Sequence, residues 1–564
     1  MRLFLIILLC PCFLFGQILT TSNLPIVVIN TNGQTIVDDP RIVCDMGIID
    51  NGFGNINSIN DPYNDYNGKI SIEYRGSSSQ SFPKKSYALE TQDAIGNNNN
   101  VSLLGMPVEN DWILYAPYSD KSLMRNFLTF DLGRKMGHYS PRTVYCELVV
   151  NGDYKGIYIL MEKIKRDNDR VDIAKLDSDD LAGDSLTGGY IIKVDKFTGT
   201  GGWGDSWQSN YNTIGGNSLR IQYHYPEGSV MLPQQLDYIE HFVDSFEYSL
   251  SGPNFADTSI GYAKYIDVNS FIDFYIVNEL AKDIDAYRLS SYLYKDRDDN
   301  GGKLTMGPLW DFNLAYGNAD YCSGGIPTGW EVNSGCGGNN PFWFERLLDD
   351  TTYQNKLKCR WEYLRDRSFC QDSIFNFIDS MSLYLNDAQQ RNFQQWSILG
   401  NYVWPNYYVG NTYQDELTFF KTWISDRLTW IDGNILGNCY VVLGCTDPLA
   451  CNYDILANTN DGSCHYNSSS YDTLVSNISI SWNGLILTTS GDYSAILYNS
   501  VGCDSIVNLN FIFDPASAIN YNSTNQKTLI KITDILGRET NGTRNKFLFY
   551  IFDDGTVERK IILE

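Results

Sequence analysis

One segment fixes the environment in which this chain must fold. Met1-Arg2 precedes an apolar run from Leu3 to Phe15, followed by Gly16-Gln17 and the polar Thr20-Thr21-Ser22-Asn23. A short positive start, an apolar core and a small residue before the break are the parts of a secretory signal peptide, assigned here to residues 1–17. The run is shorter than the roughly 20 residues that cross a bilayer. Cys10 and Cys12 lack the preceding small residues that a lipoprotein anchor uses. Export implies an oxidising compartment, so cysteines are read as disulfides. Of the 13 cysteines, two lie in that segment and 11 follow it, which leaves one thiol over. Local spacing suggests the pairs Cys322 with Cys336, Cys359 with Cys370 and Cys451 with Cys464.

Composition removes several classes of function. A formal net charge of −25 repels nucleic-acid phosphates and anionic membranes. Metal ions, cationic proteins and sugars remain as ligands. A zinc site is disfavoured by only four histidines (His138, His224, His241 and His465) and no tight Cys-x-x-Cys pair. The same scarcity weakens a Ser-His-Asp hydrolase. With 43% hydrophobic residues the chain sustains a core, and 564 residues suggest more than one domain.

From Ile26 to about Gly437 there is no evident linker. The first part reads as strands, with alternation at Ile70, Ile72 and Tyr74 and again at Tyr145, Glu147 and Val149. A helix is expected over Ser122–Leu132, and Asn151-Gly152 opens a hairpin whose second strand runs Gly156–Glu162. Helical patterning returns at Val268–Leu280, Phe342–Leu364 and about Asp415–Leu436, with strands Tyr292–Lys295 and Leu304–Leu309 between. The fold class is α+β. The expected domains are residues 18–438, a Cys/Asn-rich unit at 439–466, a β-rich module at 467–515 and a terminal β unit at 516–564.

Two aspartates carry the candidate chemistry. Asp285 follows the helix ending in Asn278-Glu279-Leu280-Ala281-Lys282-Asp283-Ile284, and Asp311 lies in Gly307-Pro308-Leu309-Trp310-Asp311-Phe312-Asn313. A loop acid, a hairpin and a second acid suit phosphoryl transfer, in which one Asp accepts a hydroxyl proton and another holds Mg²⁺. The same pair is open to a turn-capping role or to glycoside hydrolysis. Opposite charge is offered by Arg75-Gly76-Ser77-Ser78-Ser79 and Phe82-Pro83-Lys84-Lys85, a stretch also readable as a basic surface turn. Gly199, Gly201 and Gly204 match G-x-G-x-x-G without a following helix, and Asp296–Gly301 reads as a hairpin turn rather than a calcium loop.

In order along residues 25–435, these stretches resemble the CotH family of atypical protein kinases. The carriers are Arg75–Tyr87, Asn110-Asp111-Trp112, Leu123-Met124-Arg125-Asn126, Asn151–Tyr158 with Glu162, Asn278-Glu279 with Asp285, Trp310–Asn313, and Cys359-Arg360-Trp361 with Leu364-Arg365. The resemblance implies a kinase-like domain using ATP and Mg²⁺ (or Mn²⁺) to phosphorylate Ser or Thr of proteins. It places the catalytic acid at Asp285 and the metal at Asp311, with Asn313 where an acid is common. Arg75 and Lys85 would bind phosphate, Lys85 being chosen over Lys84, with Glu162 as its partner. Residues 444–464 resemble a short repeat of exported Bacteroidota proteins, and 527–564 a type IX secretion sorting domain. The latter implies the secretion machinery as a partner and a secreted or cell-surface location. The alternative function is an adhesion or scaffold protein that uses the fold for binding.

Overall fold

The computed structural model describes residues 18–197, 202–439 and, with short gaps, 443–561. The segment read as an export signal, residues 1–17, lies outside the described residues, as do Gly199 and Gly201. The chain divides into two compact units, one ending at Tyr440 and one starting at Val441.

The first unit begins with seven strands: β1 (Ile26–Asn30), β2 (Ile42–Ile49), β3 (Tyr66–Arg75), β4 (Ser86–Gln92), β5 (Asp111–Tyr115), β6 (Thr143–Val150) and β7 (Asp153–Glu162). They close a barrel in the order β1-β2-β3-β4-β5-β7-β6, β1 pairing in parallel with β6. Closure removes the exposed edges an open sheet would leave. Val27, Met46, Ile70, Ile72, Trp112, Leu148 and Leu160 fill its core. Asn151 (φ 52°) and Gly152 (φ 84°) both take the left-handed conformation that a two-residue hairpin demands, which is why Asn-Gly sits there.

Helix α1 (Arg125–Lys135) starts later than the sequence suggests, because Leu123 takes φ 64° and cannot continue a helix. A second, antiparallel sheet is formed by β8 (Tyr190–Val194), β9 (Ser206–Asn212), β10 (Ser218–Tyr225), β11 (Ser291–Lys295) and β12 (Leu304–Met306), in the order β9-β10-β8-β11-β12. β12 is shorter than expected, the chain leaving it before the cis Gly307–Pro308 bond. Asp298–Asn300 forms a short turn between β11 and β12, as the hairpin reading required.

Helices α2 (Pro233–Ser251), α3 (Val268–Ala281), α4 (Glu331–Gly338), α5 (Trp343–Leu347), α6 (Thr351–Arg365), α7 (Gln371–Tyr384), α8 (Asn386–Gln395) and α9 (Tyr413–Asn434) complete this unit. The single helix expected over Phe342–Leu364 is two, since Asp350 caps a new N terminus by accepting from Thr352 N. Every residue of α3 from Ser270 to Ala281 is buried. A helix buried on all sides is a core helix, and α3 delivers the loop carrying Asp285.

The core also holds an unpaired acid. Glu247 of α2 is fully buried, accepting from Ser209 Oγ (2.6 Å) and Trp343 Nε1 (2.7 Å). Burial pushes its carboxyl up to about 7. A carboxyl whose folded pKa is raised favours folding while protonated, so this contribution is lost as pH rises from about 4.5 through 7. Glu247→Gln keeps hydrogen-bonding atoms at both ends and removes the charge. We expect it to raise stability at pH 8 by on the order of 2 kcal/mol and to do little at pH 5, read as Tm against pH.

Four disulfides form: Cys322–Cys336, Cys359–Cys439, Cys445–Cys464 and Cys451–Cys503. The first agrees with the local reading. Cys359 pairs with Cys439 rather than Cys370, whose sulfur instead accepts from Ser373 N at the start of α7. Cys464 pairs with Cys445, which frees Cys451 for Cys503. Cys44, Cys146 and Cys370 are free, more than the single thiol expected. Cys44 and Cys146 point into the barrel core and serve as small apolar residues.

In the second unit, β13 (Ser468–Ser476), β14 (Ile480–Trp482), β15 (Leu485–Leu487), β16 (Gly491–Tyr498) and β17 (Asp504–Phe513) precede β18 (Leu529–Thr533), β19 (Phe547–Phe552) and β20 (Val557–Ile561). They form the sheets β13-β17-β16 and β18-β19-β20 and the hairpin β14-β15.

Candidate active site

α3 ends at Lys282, which takes the left-handed conformation (φ 43°) usually left to glycine at a helix end. Its ammonium donates to three carbonyls, of Ser323, Ile326 and Thr328, which holds that conformation. The turn that follows presents Asp283 and Asp285. Asp283 is buried and its Oδ1 accepts from Asp285 N, so it shapes the loop. Asp285 is half-buried and forms an ion pair with Arg288. Burial raises its carboxyl pKa, Arg288 and Lys196 oppose the rise, and Asp195 adds to it.

Asp311 lies beyond the cis Gly307–Pro308 bond with φ 63°, a conformation costly for a residue with a Cβ. Two groups of α1 hold this segment. Asn126 Oδ1 accepts from Phe312 N at 2.6 Å, and the buried Arg125 donates to the carbonyls of Ala315 and Tyr316. Among the described residues, none hydrogen-bonds to or ion-pairs with the Asp311 carboxylate. Asp311 is accessible to solvent, yet desolvation leads in pushing its carboxyl up to about 6, followed by the charges of Asp285 and Asp195. Its exposed surface and the nearby charges of Asp285, Asp195, Lys196 and Arg75 mark this point as a shallow charged cleft. Lys196 and Arg75 oppose the rise.

Arg75, the last residue of β3, reaches this cleft from the barrel. Its guanidinium lies 5.4 Å from the Trp310 ring, next to Asp311. Burial lowers its pKa, and Tyr292, Asp311, Glu73 and Asp195 counter that. Asp285, Asp311 and Arg75 are therefore brought together. Asn313 stands two residues on, its carbonyl accepting from Asn318 Nδ2.

Two of the residues singled out in the sequence are elsewhere. Lys85 Nζ donates to Gln80 O, closing its own loop, and sits over Tyr74. Glu162 is fully buried and accepts from Arg142 Nη1 (2.9 Å), Arg142 N (2.9 Å) and Tyr139 Oη (3.2 Å). The expected Lys85–Glu162 pair is not formed, because Arg142 already neutralises that carboxylate. Lys84 is also turned inward, donating to Ile157 O and Asn392 Oδ1, and burial pulls its ammonium down to about 7.

Besides Arg75, the cations beside the two acids are Arg288 and Lys196, while Lys193 faces Asp195. Lys193 and Asp195 pair at 3.0 Å, and Asp195 Oδ1 accepts from Ser290 N (3.2 Å). This places the end of β8 against the Asp285 loop. Sequence reasoning passed over this stretch; its only signal was Lys-x-Asp-Lys at a strand end. On the other side of Asp285 lies Tyr321, whose ring stacks on exposed Trp404 (6.1 Å, 7° between planes).

No group of three or more His, Cys, Asp or Glu side chains capable of holding a metal occurs among the described residues. A hard cation such as Mg²⁺ needs only one or two protein carboxylates, the rest of its shell coming from water and substrate phosphates. The Asp311 carboxylate, with no hydrogen-bond or ion-pair partner among the described residues, fits that requirement.

A closed barrel and a helical half joined across a charged cleft define a two-part domain. The chain matches the family model described as CotH kinase protein over residues 72–431, more than half its length, and belongs to that family. It is also similar to "Inner spore coat protein H" of Bacillus subtilis (strain 168), 33% identical over 95 residues, 17% of this chain and 24% of the relative. The match thus spans about a quarter of that relative's length.

Proposed function

We propose that this chain is an exported protein kinase, transferring the γ-phosphoryl group of ATP to Ser or Thr hydroxyls of exported or surface proteins. The observation that carries the reading is Asp311: a carboxylate with no hydrogen-bond or ion-pair partner among the described residues, in left-handed backbone, beside Asp285 and Arg75. Phosphoryl transfer needs little covalent help from the protein, so catalysis is positioning and charge neutralisation. Asp285 accepts the proton of the attacking hydroxyl, its raised pKa making it a stronger base than an ordinary carboxylate. Arg288 fixes its orientation. Asp311 holds Mg²⁺ or Mn²⁺, with Asn313 as an added neutral ligand. When bound, the ion neutralises the negative charge of the phosphate oxygens. Arg75, Lys193 and Lys196 face the phosphates from the barrel and from β8. Lys85, which binds its own loop, has no direct part.

The disulfides fit an oxidising location. Export to the cell surface, with residues 516–564 as the sorting segment, belongs to the same proposal.

Nucleotide binding separates this reading from a binding module that keeps only the fold. The full-length, disulfide-formed chain is expected to gain several degrees in Tm with ATP and Mg²⁺ together, because a ligand that binds only the folded state stabilises it. Arg75→Gln is expected to abolish most of that gain. No stabilisation by ATP with either Mg²⁺ or Mn²⁺ would favour the module.

A further inference from the structure

The segment between α8 and α9 holds three large aromatic side chains in the open within six residues. Tyr402, Trp404 and Tyr407 are 57%, 48% and 52% exposed. A single exposed apolar side chain needs no explanation, whereas a group of them on one segment marks a binding surface.

This segment is tied to the candidate site. Pro405 O accepts from Asp320 N (2.9 Å), Asn318 O accepts from Tyr407 N (2.8 Å), and Tyr402 Oη donates to Asp320 Oδ2 (2.7 Å). The Trp404 ring lies parallel to that of half-buried Tyr321 (6.1 Å, 7° between planes). Burial raises the Tyr321 phenol pKa, and the charge of Asp285 comes next, ahead of Arg288, so the ring stands within electrostatic reach of the candidate base. The chain just beyond Tyr321 is pinned to the Asp285 loop by Lys282, which donates to the carbonyls of Ser323, Ile326 and Thr328. The Cys322–Cys336 disulfide closes it. The aromatic surface is therefore held in place beside Asp285.

Charge decides what this surface takes. Asp320 is exposed, and no cation pairs with it among the described residues. Arg288, the cation on this flank, is taken up by Asp285. An open indole face attracts a cation through its ring quadrupole, and a carboxylate beside it adds charge. A guanidinium answers both, since its plane stacks on the ring while its edge meets the carboxylate. A neutral glycan would use the rings and leave the charge unanswered.

We infer that Trp404, Tyr402 and Asp320 select the acceptor: a polypeptide with a basic side chain, arginine above all, near the Ser or Thr that offers its hydroxyl to Asp285. This rests on the kinase reading and deepens it. The three residues are positioning residues for the acceptor and take no part in the transfer.

The test uses the full-length, disulfide-formed protein saturated with ADP and Mg²⁺, so that no transfer occurs. It is titrated calorimetrically with short peptides that carry one Ser and a single Arg walked along either side of it. The same peptides with Leu or Glu in place of Arg, and maltohexaose as a neutral glycan, are the controls. Arg at one favoured position is expected to bind about tenfold more tightly than Leu there, and Glu most weakly. Trp404→Ala and Asp320→Asn are each expected to remove about fivefold or more of that preference. Both variants keep the wild-type gain in Tm with ATP and Mg²⁺, which shows that they fold. Equal binding of the Arg, Leu and Glu peptides overturns the inference, as does binding of no peptide, a preference that survives both variants, or binding of maltohexaose alone. An Arg preference in a wild type that gains no stability from ATP counts against the kinase reading alone, and the recognition of a basic peptide stands.

Discussion

Asp285→Asn is expected to keep Mg²⁺-dependent ATP binding and to lose phosphoryl transfer by about 10²–10⁴-fold, the usual contribution of a positioned acid–base group. Asp311→Asn is expected to lose transfer to a similar extent, and its Mg²⁺-dependent nucleotide affinity as well. Their effects on stability separate these roles from a merely structural one. The Asp311 carboxyl is pushed up to about 6 by desolvation and by Asp285 and Asp195. An acid with a raised folded pKa costs the folded state stability once pH exceeds its unfolded value, and the full cost is present above the folded pKa. Removing the charge at pH 7.5 therefore raises the Tm of the nucleotide-free protein. Activity falls while stability rises, the trade expected of a group kept for function. A fall in both would point to a structural aspartate.

The second large effect lies behind the site. Glu279 and Arg427 are 1% and 0% exposed at their side chains and pair at 3.0 Å. Glu279 also accepts from the backbone N–H groups of Glu331 and Val332 and from Tyr287 Oη. Arg427 donates to the carbonyls of Glu279, Pro327 and Gly329. Burial raises the Glu279 pKa even though Arg427 opposes the rise. Arg427→Ala strands a buried carboxylate and three carbonyls and is expected to cost about 3–5 kcal/mol. Glu279→Gln costs less, since it keeps much of the hydrogen bonding. The double variant Glu279→Gln with Arg427→Ala is expected to lose less than the sum of the two single losses. Urea denaturation of the four proteins measures this; strictly additive losses would mean the pair is not coupled. The same pair fixes the chain between Pro327 and Val332, next to the carbonyls that hold Lys282. Loss of Arg427 should therefore also loosen the Asp285 loop.

What the sequence made legible was local. The largely apolar run of α3 and the Asn151-Gly152 hairpin are set by neighbours within a few residues; α3 forms within a residue of its expected bounds, and the second hairpin strand starts three residues earlier than expected. Asp285 and Asp311 were visible because each sits at the end of an element whose pattern breaks there. Apart from Arg75, the basic half of the cleft was not legible. Lys193 pairs in register with Tyr292, about a hundred residues on, and only that pairing puts Asp195 against Ser290. Lys85 was chosen for following a Gly/Ser-rich loop, but it lies just before β4 and its ammonium folds back onto Gln80 O. Two of the three suggested disulfides failed for the same reason: Cys439 follows α9, and tertiary packing rather than sequence spacing brings it to Cys359 on α6. Leu-Met-Arg-Asn at 123–126 read as a motif without a task. In the structure Asn126 holds Phe312 N and Arg125 holds the carbonyls of Ala315 and Tyr316.

The measurement that bears most directly on the central claim is transfer itself. The full-length, disulfide-formed protein is incubated with γ-labelled ATP and Mg²⁺ or Mn²⁺, alone and with a basic protein acceptor, beside Asp285→Asn and Asp311→Asn. Label on Ser or Thr with the wild type, and none above background with either variant, is the result predicted. Nucleotide bound at the cleft with no label transferred under either metal, or label incorporated equally by both variants, would contradict it.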